Sequence, residues 1–102
     1  MPGGTWTGEG LLGLAWYSVR VTLPTECVEG ERCGREKLIA QRAGHTCGGP
    51  FVLSTVTEEG GFLFDGPRTC PPVDPVLTPE GDTLRYYWSG GDVTITLSPP
   101  GK

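Results

Sequence analysis

Apolar and polar residues alternate along several short runs of this chain. In residues 17–23, apolar side chains stand at every odd position and polar ones at every even position. A period of two also runs through residues 51–57, 83–88 and 92–97. This period places alternate side chains on opposite faces, so each run predicts a β-strand with one buried face. Residues 34–42 and short segments near Trp6, at 62–65 and at 76–78 predict further strands, and no run has a helical period.

Glycine-containing turns separate these runs at residues 58–61, 79–82 and 89–92. Glycine supplies the positive φ that tight hairpin turns require. A strand plus its turn recurs roughly every eight to twelve residues, which is typical of all-β sandwiches and barrels. We therefore predict a small antiparallel β-barrel or sandwich of about eight strands in up-and-down order. Residues 5–98 form its single domain, with 1–4 as a disordered start or expression scar and 99–102 as a loose C terminus.

Four cysteines in a chain of 102 residues predict a disulfide-bonded domain. Small domains outside the cytoplasm use such crosslinks to supplement a limited core. Three pairings are possible, and we favour Cys27–Cys33 and Cys47–Cys70. A zinc site that adds His45 is a competing interpretation, although the chain lacks the close Cys-x₂₋₄-Cys pairs of common zinc modules. Free thiols are a third.

Charge and hydropathy limit the partners. The net charge is −4 and the eight basic residues form no cluster, which argues against nucleic-acid binding. No apolar run approaches the roughly 20 residues of a membrane-spanning helix, so no direct membrane insertion is expected. Met1–Gly4 has neither the basic start nor the apolar segment of a signal peptide, and we expect a piece of a longer chain with Met1 added for expression. Disulfides favour an extracytoplasmic setting (secreted, lipid-anchored or membrane-tethered), with a cytoplasmic protein as the alternative.

Few residues are candidates for catalysis. His45 and Cys47 lie two residues apart in the glycine-rich segment 44–49, where a histidine base could activate a thiol. The favoured interpretation is a solvent-exposed turn histidine beside a disulfide. Three acidic pairs also lie beside turn glycines, where solvated carboxylates favour solubility: Glu29 with Glu31, Glu58 with Glu59, and Glu80 with Asp82. We predict no catalytic residue, no metal and no cofactor, and therefore not an enzyme; an enzyme using Cys47 or His45 is the alternative.

The aromatic residues allow a binding function. Adjacent aromatic residues of one strand face opposite sides, and we assign Tyr17, Tyr86 and Trp88 to the core. The predicted outward set is then Trp16, Arg20, Arg85 and Tyr87. Surfaces of this type are enriched in binding hot spots. Ordinary cross-strand packing, with arginine stems covering the rings, is the alternative. The predicted binding residues, of which the three tryptophans are expected near a barrel rim, are Trp6, Trp16, Arg20, Arg85, Tyr87 and Trp88.

The order of these features resembles a small domain of actinobacterial proteins, found in secreted or lipid-anchored proteins and beside serine/threonine kinase modules. The specific shared features are the pair Cys47 and Cys70 and the late Leu-x-Tyr-x-Trp strand at 84–88, with Cys27 and Cys33 as an additional pair. This resemblance implies an extracytoplasmic sensor or binding domain. A weaker similarity links Gly4-Thr5-Trp6 to lipocalin-like barrels and to periplasmic lysozyme-inhibitor barrels. The segments that match the actinobacterial domain are 16–23, 33–38, 47–53, 83–88 and 93–97.

These observations predict a non-catalytic extracytoplasmic domain that binds a ligand or a protein partner. It would use either a barrel mouth or an aromatic and basic sheet face. The alternative is a proteinaceous inhibitor of a secreted hydrolase. Such an inhibitor would present the loop Cys27–Cys33, which carries Glu29, Glu31 and Arg32 beside Glu26. The ligand and the oligomeric state stay open.

Overall fold

The chain folds into eight antiparallel strands, as the alternating pattern predicts. The computed structural model describes residues 1–42, 44–67, 74–88 and 90–99. Each strand is hydrogen-bonded to the strand that follows it in sequence, so the order is up-and-down. The strands are β1 (Gly4–Leu12), β2 (Ala15–Leu23), β3 (Arg32–Ala40), β4 (Thr46–Val56), β5 (Phe62–Asp65), β6 (Val76–Glu80), β7 (Thr83–Trp88) and β8 (Val93–Leu97).

The sheet curves until its two edges meet, so the fold is a nearly closed barrel and not a sandwich. Thr7 of β1 and Ser98, just after β8, form an antiparallel bridge. The Thr7 amide donates to the Ser98 carbonyl at 3.2 Å, and the Ser98 amide donates to the Thr7 carbonyl at 2.7 Å. Closure removes the unpaired strand edges through which open sheets aggregate.

The barrel interior is a packed apolar core, to which nearly every strand contributes alternate residues. Tyr17, Val19, Val21 and Leu23 of β2 are all buried, as their period of two predicts. Phe51 of β4 and Phe64 of β5 stack within the core, with ring centroids 4.8 Å apart. The other buried apolar residues are Trp6, Leu12, Cys33, Leu38, Ala40, Cys47, Leu53, Leu77, Leu84, Tyr86, Ile95 and Leu97.

Strand β1 is longer than the short strand expected near Trp6. Its apolar alternation is hidden because glycine occupies two positions of the inward face. A Cβ atom on Gly8 would lie 2.8 Å from a Leu97 methyl carbon, and one on Gly10 would lie 2.5 Å from Ile95 Cγ1. The side chains of β8 therefore fill the space that larger residues on β1 would take.

Strand β4 begins earlier than expected, which corrects the prediction of a turn over residues 44–49. Thr46, Cys47, Gly48 and Gly49 pair with β3 in register. Gly48 has a φ of 139°, and a Cβ atom there would collide with the Glu36 carbonyl oxygen. Gly48 therefore permits close contact between two strands, whereas Gly44, which has a φ of 74°, lies in the turn between β3 and β4.

The disulfide between Cys27 and Cys33 is present, with the two Cα atoms 5.7 Å apart. It closes the loop between β2 and β3. Cys70, the predicted partner of Cys47, lies outside the described residues, so that pairing stays a prediction. None of the cysteines in the described part of the chain is a free thiol.

Within the described ranges, no helix has the length and hydropathy needed to cross a membrane.

Candidate functional site

The most distinctive concavity outside the barrel lies over strands β6, β7 and β8. Two adjacent cross-strand rows form its floor. In one row, Thr78 and Thr96 flank Arg85; in the other, Val76 and Thr94 flank Tyr87. The groove has a volume of about 410 Å³, which is within the range of small-molecule sites. We call it the outer groove, lined by Thr57, Glu59, Val76, Thr78, Arg85, Tyr87 and Thr94.

A turn after β4 forms one wall of the outer groove. Strand β5 follows this turn, is short, and pairs with β6 at only two positions. The Thr57 amide donates to the Gly61 carbonyl at 2.8 Å, and the Gly61 amide donates to Thr57 Oγ1 at 2.9 Å. These bonds hold the turn in a fixed conformation, with Glu59 facing the groove.

Arg85 places a positive charge in the groove between two carboxylates. Its guanidinium lies 3.2 Å from Glu80 and 4.0 Å from Glu59. Its side chain is only 35% exposed. Arg85 Nε is buried and has no hydrogen-bond partner among the described residues. Partial desolvation strengthens the hydrogen bonds that the outer guanidinium nitrogens form.

Tyr87 supplies the aromatic surface of the groove. Its hydroxyl donates a hydrogen bond to Asp92 Oδ1 at 3.2 Å. That bond raises the pKa of Tyr87 above its usual value. Asp92 has a φ of 51°, an uncommon conformation for a residue with a side chain. Together the bond and the tight turn fix the edge of the Tyr87 ring.

The other residues predicted to bind a ligand lie apart from the outer groove. Trp16 is 56% exposed and is the second residue of β2, which is separated from β7 by β1 and β8. Arg20 faces outward from β2, where it lines a separate groove with Glu9 and Ser18. Only Arg85 and Tyr87 of the predicted outward set come together.

Two of the tryptophans that were predicted to bind a ligand contact nearby parts of the chain: Trp6 contacts the N-terminal residues, and Trp88 lies against the turn that follows β7. Trp6 is buried, and its Nε1 donates to the Pro2 carbonyl at 3.0 Å. Trp88 is partly buried and packs against the core. Cβ atoms added to Gly90 or Gly91 would lie within 3 Å of its indole ring. Trp6 lies near the start of β1 and Trp88 at the end of β7, so they occupy opposite ends of the barrel.

A buried carboxyl group in the core was missed by the sequence analysis. Glu36 of β3 is 2% exposed, and the Tyr86 hydroxyl donates to its Oε1 at 2.5 Å. Burial raises the pKa of Glu36 to about 7; the bond from Tyr86 lowers the pKa in part, and the charge of Asp74 raises it. Burial, the charge of Glu36 and the shared hydrogen bond raise the pKa of Tyr86 well above its usual value. The sequence did contain one signal of this burial. Glu36 lies on the same face of the strand as Leu38 and Ala40, because residues two apart point the same way.

His45 lies on the surface at one end of the barrel. Its ring meets the ring of Tyr17 edge-on, with centroids 6.4 Å apart. Cys47 is buried at the start of β4. Within residues 1–42, 44–67, 74–88 and 90–99, no group of three or more His, Cys, Asp or Glu side chains gathers where an ion could bind.

Comparisons with protein-family models, curated proteins and solved structures give no match for this chain. The resemblance to an actinobacterial sensor domain therefore stays a prediction.

Proposed function

We propose that this domain is a non-catalytic extracytoplasmic binding module whose outer groove takes a short neutral saccharide. The observation that carries the proposal is the joint placement of Arg85, its two carboxylate partners and the Tyr87 ring in one concavity. The disulfide Cys27–Cys33 supports an oxidising compartment, because such bonds are rare in the cytosol.

The polar groups of the groove favour a polyol over a charged ligand. A sugar hydroxyl is both a donor and an acceptor. The guanidinium of Arg85 donates, and Glu59 and Glu80 accept, so adjacent hydroxyls of a sugar would meet both kinds of partner through charge-assisted bonds. The two carboxylates outnumber the one guanidinium and disfavour an anionic ligand.

The apolar part of the groove fits the remaining surface of a sugar ring. Tyr87 and Val76 lie side by side on paired strands and give a flat patch for the C–H face of a ring. The threonines on either side supply further hydroxyl groups at the rim. A few polar groups around an apolar floor are the usual pattern of small-ligand sites.

The packed interior also favours an outer site. Tyr86, Phe51 and Phe64 are fully buried and occupy the volume in which wider barrels hold a ligand. The acid with the strongly raised pKa, Glu36, is only 2% exposed, and its carboxyl group is bonded to the Tyr86 hydroxyl inside that core. This enclosure supports binding over catalysis.

Calorimetric titration with chitotriose and cellotriose tests the proposal. We expect the Arg85→Met variant to bind at least one of these probes about tenfold more weakly than the wild type, because it loses a charge-assisted hydrogen bond. Tyr87→Ala should weaken binding by a similar factor. Arg20→Met is the matched control, because Arg20 is also an outward-facing strand arginine but lies outside the outer groove; it should bind as the wild type does.

Two results would contradict the proposal. One is a lack of binding to both neutral trisaccharides; the other is equal weakening by Arg20→Met and Arg85→Met. Preferential binding of trigalacturonate would overturn the neutral class, because it would show that the carboxylates of the groove do not repel an anion.

A second candidate function is inhibition of a secreted hydrolase by the Cys27–Cys33 loop. The observation that favours it is the preorganisation of this loop. The Gly30 amide donates to the Leu53 carbonyl at 2.7 Å, and the Leu53 amide donates to the Glu31 carbonyl at 3.1 Å. Val28 is 62% exposed at its tip. A fixed loop loses little entropy when it enters a cleft. Inhibition of a secreted glycosidase that Val28→Asp abolishes, with chitotriose binding absent, would favour this function.

A further inference from the structure

Three basic residues from two paired strands meet on the outer face of the barrel. Arg20 of β2 is the direct cross-strand partner of Lys37 of β3. Arg35 lies two residues before Lys37 on the same face, opposite Thr22. All three basic side chains are exposed. We call Arg20, Arg35 and Lys37 the basic wall. The sequence analysis found no basic cluster because strand pairing, and not a run of residues, assembles this one.

A β-bulge in β3 sets the direction of two of these side chains. The register between β3 and β4 shifts before Arg35, at Gly34, which has a φ of 88°. The bulge holds one extra residue, so Cys33 before it and Glu36 after it both point into the core. Arg35 and Lys37 therefore face outward, while the carboxyl group between them in sequence lies inside the barrel.

The three cations of the basic wall lack carboxylate partners. In the part of the chain that the structure describes, no Asp or Glu side chain forms an ion pair with any of them. Like charges directly opposite each other on paired strands destabilise a sheet. An anion bound between Arg20 and Lys37 would remove this repulsion.

One carboxylate, that of Glu9, lies next to the basic wall. Glu9 faces outward on β1 and lines a groove of about 370 Å³ with Arg20. Its cross-strand partner is Ser18, so Glu9 is diagonal to Arg20 and not opposite to it. Three cations and one carboxylate leave this part of the surface with a net charge of +2.

The other carboxylates lie farther from the basic wall. Asp65 is two strands from Arg35, roughly 10 Å by strand spacing, in the cross-strand row that also contains Arg32. Asp74 lies between β5 and β6, where it accepts a hydrogen bond from the Gly66 amide at 3.0 Å. The acidic residues of the β2–β3 loop precede Arg32. Charges beyond about 8 Å are largely screened at physiological ionic strength, so these groups weaken the potential at the wall only slightly.

A groove beside the basic wall leaves room for the remainder of a ligand. Gly48 of β4 is the cross-strand partner of Lys37, so no side chain covers the sheet at that position. The groove has a volume of about 650 Å³, which is within the range of small-molecule sites. Its apolar lining residue, Cys47, is buried, so the groove offers polar groups and backbone. The lining residues are Arg35, Glu36, Lys37, Thr46, Cys47, Gly48 and Gly49.

We infer that the basic wall binds a small phosphorylated polyol, with its phosphate between the three cations and its hydroxyl groups in the groove over β3 and β4. Guanidinium groups form paired hydrogen bonds with phosphate oxygens, and lysine adds a point charge. A phosphate monoester carries about −1.5 to −2 at pH 7, which matches the net charge of the wall. Opposite residues of paired strands have Cβ atoms about 5 Å apart, and residues two apart on one strand about 7 Å, so these long side chains reach a common anion.

The distribution of charge favours a compact dianion over a long polyanion. The net charge of the chain is −4 and the basic wall holds three positive charges, so the rest of the molecule carries −7. A nucleic acid or a sulfated polysaccharide would extend past the wall onto this acidic surface and be repelled there. A single phosphate group stays within the wall.

Phosphorus NMR titration of the intact domain tests the inference, with glucose 6-phosphate and glycerol 3-phosphate as probes. We expect a saturable shift of the phosphorus signal of at least one probe, which glucose does not reverse. Arg20→Met and Lys37→Met should each weaken binding roughly fivefold or more, because each removes a charge-assisted contact. Arg85→Met is the matched control, because Arg85 is also an outward-facing strand arginine but lies in the outer groove; it should bind as the wild type does.

The inference fails if neither probe gives a saturable shift, or if Arg85→Met weakens binding as much as Arg20→Met does. Tighter binding of dextran sulfate or of O-phosphoserine than of either probe would also overturn it, because the wall would then recognise a polyanion or a phosphorylated protein. A dispersed amide proton spectrum of each variant checks that it is folded. The outer groove and the basic wall share no residue, so chitotriose affinity of Arg20→Met separates the two sites.

Discussion

At the scale of single residues, Glu36 is the least expected feature of this protein. A carboxyl group in a barrel core is stable only in its neutral form or with strong hydrogen bonds. Here one hydrogen bond comes from Tyr86, while burial keeps the pKa of Glu36 near 7, above the ordinary 4.5. The folded protein therefore holds the Glu36 proton more tightly than the unfolded chain does.

This difference predicts that the free energy of unfolding falls as pH rises. Because the folded-state pKa is raised, the stabilising contribution is complete below about 4.5 and is lost as pH passes through about 7. The shift corresponds to about 3 kcal/mol at most. Urea denaturation across this range should show the decline in the wild type and a nearly flat profile in Glu36→Gln, which keeps an acceptor for Tyr86 without a charge.

The matched control for this measurement is His45→Gln. His45 is the only histidine of the chain, so this variant removes the only imidazole and leaves Glu36 in place. The His45→Gln profile should keep the decline. A wild-type stability that rises between pH 5 and pH 8, or a decline that survives in Glu36→Gln but not in His45→Gln, would contradict the assignment to Glu36.

At the scale of elements, the sequence predicted a strand at each of the eight places, but it made β1 and β4 too short and displaced β3 by two residues. Regular alternation identified β2, β7 and β8, because one of their faces packs against the core. Strands β1 and β4 were shortened because Gly8, Gly10 and Gly48 resemble turn residues in sequence. Glycine is present at these positions because neighbouring strands pack closely against them. The packing partners lie far along the chain, so no local sequence pattern reveals this requirement.

The Cys27–Cys33 disulfide stabilises the connection between β2 and β3. It closes a loop of seven residues, and in the chain-entropy model a loop of this length contributes about 2 kcal/mol of stability. Sequence reasoning could propose this pairing because the two cysteines are close in the chain. It could not exclude the two other pairings, since connectivity follows from the folded arrangement of strands.

Non-reducing tryptic peptide mapping tests both predicted crosslinks at once. Cleavage after the basic residues places each cysteine on its own peptide: 21–32, 33–35, 43–68 and 69–85. We expect 21–32 to be joined to 33–35, and 43–68 to be joined to 69–85, each pair lighter by two hydrogens than its separate peptides. Free thiols on the last two peptides, or a link between 33–35 and 69–85, would contradict the predicted framework.

At the scale of the whole molecule, barrel closure decides which predicted residues can act together. The sequence placed Trp16, Arg20, Arg85 and Tyr87 outside the core. In the closed barrel, β1 and β8 lie between β2 and β7, and Arg20 and Arg85 line different grooves. The direction in which a side chain faces follows from strand periodicity. Which outward side chains become neighbours depends also on register and on barrel closure, and the sequence left both open.

Chemical-shift mapping with chitotriose tests the central claim that the outer groove is the binding site. In ¹⁵N-labelled protein, we predict saturable shifts at the amides of Thr57, Thr78, Arg85 and Thr94, with the amides of the Cys27–Cys33 loop unchanged. Shifts confined to that loop, or no saturable shift at any amide, would contradict the account.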